Sequence, residues 1–155
     1  MKNIGTLGEE LVGRWLELQN YSLLQQNWRC RWGEIDIIAQ DRSKAMPSTG
    51  FAIAFVEVKT RSKNNWDEGG LLAVNAIKQE KIIKTASLFL AKHPQFAELP
   101  CRFDVALVSY KNRALVQQKT IIDPQKITQI TIGQPVVIKQ HIITIENYLQ
   151  SVELA

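Results

Sequence analysis

Leu7, Leu11, Val12, Trp15, Leu16 and Leu18 recur at helical intervals, and Thr6 and Glu9 ahead of them have the Thr-x-x-Glu spacing of a capping box. The pattern predicts a helix over Leu7 to Gln19, closed by Asn20. Tyr21 to Asn27 reads as a short strand. From Glu34 to Gln40 the period drops to two, with Ile35, Ile37 and Ala39 on one face and Glu34, Asp36, Ile38 and Gln40 on the other. The turn-forming DRSKAMPSTG separates this strand from Phe51 to Thr60, which predicts an antiparallel hairpin. A long helix follows over about Leu71 to Lys92. Gln79 lies in its apolar stripe of Leu72, Ala76, Ile83, Ala86 and Leu90 and is expected to face the sheet. After Pro94 and Pro100, Arg102 to Tyr110 reads as a strand in which Asp104 is structural. Beyond Lys111 the pattern suggests short strands at Ala114 to Ile122, Gln129 to Ile132 and Pro135 to Lys139, and a closing helix over Ile142 to Val152. This order predicts a mixed α/β fold, a central mixed sheet flanked by helices.

The strand Phe51 to Thr60 has Ala52, Ala54, Val56 and Val58 on one face, as a strand covered on both sides would, yet it carries Glu57 and Lys59. Pairing the hairpin about Met46 and Pro47 sets Asp36 opposite Glu57 and Glu34 opposite Lys59, with Cβ atoms about 5 Å apart. Opposed carboxylates in a covered sheet require a cation. One reading supplies Lys59, closing an ion pair on a solvated rim. The other supplies a divalent metal, because carboxylates, a backbone carbonyl and water form the hard oxygen shell that Mg2+ prefers. Glu9 flanks the apolar arc of the first helix, where it either serves the cap at Thr6 or leans into the patch.

The chain of 155 residues is 45% hydrophobic and 22% charged, the composition of one globular domain spanning 1–155. Only Cys30 and Cys101 are present, too few for a zinc site. No apolar run spans a bilayer and acids stand near the N-terminus, so no membrane role and a cytoplasmic location are expected. A net charge of +4 and a pI of about 9.1 tilt toward a polyanionic partner. Trp28-Arg29-Cys30-Arg31-Trp32 interleaves aromatics with arginines, and Arg61, Lys63 and Trp66 repeat the combination. Such segments either grip nucleic acid or are solvated turns with tryptophans in the core. His93 and His141 lack acidic neighbours, so a histidine-based nuclease is not expected.

In this order, GTLGEELVGRWLE, NWRCRWGEIDIIA, FVEVKTR, Lys78-Gln79 and CRFDVALV resemble the YraN family of predicted endonucleases, over Gly5 to Val108. That family is similar to archaeal-type Holliday-junction resolvases and to restriction-endonuclease-like nucleases, whose signature is an Asp followed by Glu-x-Lys on adjacent strands. The resemblance implies a restriction-endonuclease-like core and metal-dependent hydrolysis of phosphodiester bonds in DNA, branched or single-stranded. It implies Mg2+ or Mn2+ on Asp36, Glu57 and the Val58 carbonyl, Lys59 serving the attacking water, Glu9 completing the site, and a homodimer. Beside carboxylates, Lys59 suits water positioning and charge stabilisation rather than proton abstraction. Glu34 and Gln79 are expected as auxiliary residues, and Arg29, Arg31, Arg61, Lys63 and Lys78 as nucleic-acid contacts. The alternative is a nuclease-fold protein that holds nucleic acid, or a protein partner, without cutting. Ile35 rather than proline precedes Asp36, and Trp32 stands where a basic or small residue is expected. The chain after Tyr110 departs from the family pattern, so residues 111–155 carry no predicted function.

Overall fold

Asn3, not Thr6, caps the first helix. Its Oδ1 accepts the Thr6 N–H at 2.8 Å, and α1 runs over Ile4–Leu18, one turn earlier than the sequence predicts. Glu9 then lies in the second turn, beyond the reach of a capping box, which leaves its carboxylate for other partners. Asn20 ends the helix region with φ of 69°, a left-handed conformation that asparagine tolerates.

In this computed structural model, residues 3–43, 50–62, 76–112 and 123–152 are described. After α1 come β1 (Tyr21–Cys30), β2 (Gly33–Asp41), β3 (Ile53–Ser62), α2 (Ala76–Lys92), β4 (Cys101–Asn112), β5 (Val136–Ile138) and β6 (His141–Leu149). The strands form one sheet in the order β1-β2-β3-β4-β6-β5. Among the described residues only β3 and β4 pair in parallel, and α2 lies in the crossover that a parallel pair requires. α1 and α2 cover opposite faces. Leu7, Leu11, Val12 and Leu16 of α1 pack on Ile37, Ala54, Val56, Ala106 and Val108. Phe89 of α2 packs with Ile35, Ile38, Ile53, Phe55, Phe103 and Val105. The result is a mixed α/β, restriction-endonuclease-like core. No helix among the described residues is long and apolar enough to cross a membrane.

Several elements differ from their predicted form, each for a local reason. β1 continues to Cys30, and its ladder with β2 skips Asn27 and Asp36, where Asn27 has a left-handed φ of 50°. Beyond this break Ile35 pairs with Trp28 and joins Ile38 against α2, whereas Ile37 and Ala39 face α1; simple alternation therefore fails at Asp36. The inward face of α2 is Ile82, Thr85, Ala86, Phe89 and Leu90, and Ile83 is 51% exposed. The stripe is rotated because Phe89 fills the space between Trp28, Phe55 and Phe96. Residues 71–75 of the predicted helix lie outside the described residues.

The predicted C-terminal helix is the strand β6. Its isoleucines and threonine favour extended backbone, Ile143 and Ile145 are buried at a period of two, and β4 needs a partner on its open edge. Gln129 to Ile132 forms no strand, the strand at Pro135 to Lys139 shortens to β5, and Ala114 to Ile122 lies outside the described residues. Asp104 is structural, as its pattern predicts. Fully buried, it accepts from Arg102 Nε at 3.0 Å, Tyr148 Oη at 2.6 Å and Ser151 N at 3.0 Å. Arg102 also reaches Asp41 at 3.0 Å and Tyr21 Oη at 2.6 Å, tying β1, β2, β4 and the end of β6 together.

Candidate active site

The predicted hairpin register is correct where the strands pair, from Gln40 opposite Ile53 to Ile37 opposite Val56. There the ladder stops. Asp36 and Glu57 are therefore not a directly opposed pair, nor are Glu34 and Lys59. The strands part because the Asp36 side chain takes the place of a ladder acceptor: its Oδ2 accepts the Val58 N–H at 2.8 Å. One short side chain thus satisfies a backbone donor of β3 and holds a carboxylate in the fork between two strands.

Two elements, α1 and β2, deliver three acids to this fork. The closest oxygens of Glu9 from α1 and of Glu34 and Asp36 from β2 all lie within 4.8 Å of one another. With its amide nitrogen turned toward the acids, Asn27 donates to Glu9 Oε2 at 3.1 Å and to Glu34 Oε1 at 3.0 Å. Glu34 also pairs with Arg29 at 2.8 Å, so Arg29 and not Lys59 is its cation. Burial pushes the Asp36 carboxyl up to about 7, against the Val58 N–H, and the charges of Glu9, Glu57 and Glu34 push the same way. Burial likewise raises Glu9, opposed by the Asn27 hydrogen bond. Carboxyls held above their ordinary range crowd too much negative charge into one place. Such a donor set can hold a hard divalent cation.

Glu57 stands on the α2 side of the fork. Its Oε1 lies 3.8 Å from Lys59 Nζ, with the Lys59 side chain only 14% exposed. Asp36, Glu57 and Lys59 line a cavity of about 220 Å³ whose other walls include the Trp32–Gly33 turn, Phe103, and Lys78 and Lys81 of α2. Acids and an ammonium in the floor, with lysines at the side, can receive a phosphate and counter its charge.

The remaining predicted residues divide. Lys78 is exposed at the cavity, whereas Gln79 is half-buried on α2 and is not one of its walls. Arg31 and Lys84 sit over the Trp32 ring at 4.8 and 4.3 Å, while Trp28 meets Phe89 edge-on in the core. The tryptophan motif therefore splits between a cation clasp and ordinary packing. Arg61 is exposed beyond the fork and donates to Thr60 O at 3.0 Å. Lys63 and Trp66 lie outside the described residues. Sequence reasoning missed Asn27 and Lys81. Lys81 stands three residues after Lys78, on the same side of a helix, a spacing that could have found it. For Asn27 the only sign was an asparagine within a strand pattern.

Comparison with known proteins gives the chain a family. The model of the uncharacterised protein family UPF0102 matches residues 8–108. The chain is 43% identical to a UPF0102 protein of Acaryochloris marina over 152 residues, 96% of this chain and 88% of the relative. It is 57% identical to one of Synechocystis over 108 residues, 70% of this chain and 68% of the relative. A UPF0102 protein of Trichodesmium erythraeum is 43% identical over 155 residues, 95% of this chain and 86% of the relative. The matched region holds the fork, the Glu9 helix and the cavity, and on this ground the chain belongs to the UPF0102 family, the YraN group of predicted endonucleases.

Proposed function

We propose that this protein is a metal-dependent endonuclease that hydrolyses phosphodiester bonds in DNA at the fork between β2 and β3. The observation that carries the reading is Asp36, a half-buried carboxylate fixed by the Val58 N–H and surrounded by Glu9, Glu34 and Glu57 beside Lys59. A carboxyl raised to about 7 by burial and acidic neighbours is the donor chemistry that Mg2+ or Mn2+ fits. Asp36 and Glu57, with the Val58 carbonyl, would hold the ion, and Glu9 and Glu34 would complete its surroundings. Bound there, the ion supplies a Lewis acid for a phosphate oxygen and for the attacking water.

The chain's own groups do the rest. Lys59, little exposed and tethered by Glu57, orients the water and offsets charge that develops on the phosphate. Lys78 and Lys81 draw the polyanion to the cavity. The Val58 N–H keeps Asp36 from rotating out of the fork.

The test incubates purified protein with labelled duplex, single-stranded and four-way-junction DNA, with Mg2+, Mn2+ or chelator. Metal-dependent cleavage that disappears in Asp36→Ala supports the reading. Cleavage that survives this substitution sinks it, and binding without cleavage under every condition turns the assignment to a nucleic-acid-holding protein.

A further inference from the structure

Helix α1 meets β3 at one point without clearance. Gly8 is buried, and a Cβ built on it would stand well inside van der Waals contact of Thr60 Oγ1, with Thr60 Cβ and Cγ2 3.5 Å away. That same Oγ1 is buried and has no hydrogen-bond partner among the described residues. A buried hydroxyl left unpaired costs about 1–3 kcal/mol, so stability alone does not recommend threonine here. Threonine is, however, β-branched and stiff about χ1, which makes it a hard stop for a helix pressed against it.

The residue after Gly8 is Glu9. Its carboxylate comes within 4.8 Å of those of Asp36 and Glu34 and takes the amide of Asn27 at 3.1 Å, so it depends on how deeply α1 sits. We propose that Gly8 and Thr60 are positioning residues: their contact sets α1 at the depth that delivers Glu9 to the acid cluster. The purpose of that delivery rests on the metal-site reading above; the contact does not. An alanine at position 8 must lift the helix or turn Thr60 by on the order of 1 Å to regain ordinary atomic contact. Glu9 is adjacent and inherits the displacement. Removing the Thr60 hydroxyl and methyl restores the room, because Thr60 Cβ is already at an ordinary 3.5 Å.

The experiment compares Gly8→Ala, Thr60→Ala, the double variant and Glu9→Ala with the unaltered chain. The side-chain amide resonances of Asn27, read by ¹⁵N NMR without metal, report its hydrogen bond to Glu9. A Mn2+ titration of the same proteins reports the consequence. In Gly8→Ala the Asn27 resonances should move toward those of Glu9→Ala, and Mn2+ affinity should fall about tenfold, the scale of a lost supporting contact at a metal site. Both should return in the double variant. Unmoved Asn27 resonances in Gly8→Ala, or a displacement that the second substitution does not reverse, would overturn the proposal. If Gly8→Ala does not fold, Thr60→Ile enlarges the other side of the contact and must move the same resonances. If the unaltered chain binds no Mn2+, the metal reading falls, while the Asn27 comparison still decides the contact.

Discussion

Asp36→Asn should stabilise the metal-free protein at pH 8 and leave it nearly unchanged near pH 4. The folded carboxyl titrates at about 7, against an ordinary value of 3.8, because it is buried among Glu9, Glu57 and Glu34. A raised value means that the folded state holds the proton more tightly than the unfolded chain. Below about pH 4 both states are protonated and folding carries no penalty. Between there and about 7 stability is lost progressively, and above 7 the full cost of an ionised Asp36 is present. At about 1.4 kcal/mol per pH unit the gap corresponds to about 4 kcal/mol, and water reaching the partly exposed side chain reduces this to roughly 2–4 kcal/mol. Asparagine can still accept the Val58 N–H through its carbonyl oxygen, so the anchoring hydrogen bond survives. Urea unfolding in chelator at pH 4, 6 and 8 measures the difference. A variant less stable than the unaltered protein at pH 8, or an advantage independent of pH, would refute the argument. Saturating Mg2+ at pH 8 should narrow the advantage by stabilising only the native carboxylate site.

Further outcomes follow from the rest of the molecule. Arg102→Ala should cost about 3–5 kcal/mol in urea unfolding, because it strands the fully buried Asp104 without its cation; a loss below about 1 kcal/mol would contradict the network. Asn3→Ala should cost about 1 kcal/mol and Thr6→Ala much less, since Asn3 is the cap; equal effects would restore the capping box. Lys81→Ala should lower the slope of log affinity for DNA against log salt by about 1 unit, as for one lost phosphate contact, and an unchanged slope would remove Lys81 from the DNA-binding surface.

The hairpin shows what the sequence could and could not reveal. Turn chemistry and alternation were enough to place Ile37 opposite Val56, because register there is fixed by burying one set of side chains on each face. They could not show that the ladder ends at that pair, since this depends on the Asp36 side chain replacing a backbone acceptor. The Glu9 ambiguity was resolved by Asn3, whose cap shifts the start of α1 and frees the glutamate. In α2, helical periodicity was correct but its phase was set by the bulk of Phe89, information that belongs to the opposite face of the core. At the C-terminus, Ile142 to Val152 satisfied a helix pattern locally, and the unpaired edge of β4 decided for a strand. The hairpin register rightly groups Glu34 with the other acids, yet its cation is Arg29, on a β1 longer than the pattern predicts.

The most direct measurement is the single-turnover rate of DNA cleavage by the unaltered protein and by Lys59→Ala, each with saturating Mg2+. If the fork is a hydrolytic site, Lys59→Ala still binds DNA and metal but cleaves about a hundredfold or more slowly, the scale of losing one charge-stabilising group. Equal rates in the two proteins, with contaminating nuclease excluded, would contradict the assignment of Lys59 and of the fork it faces.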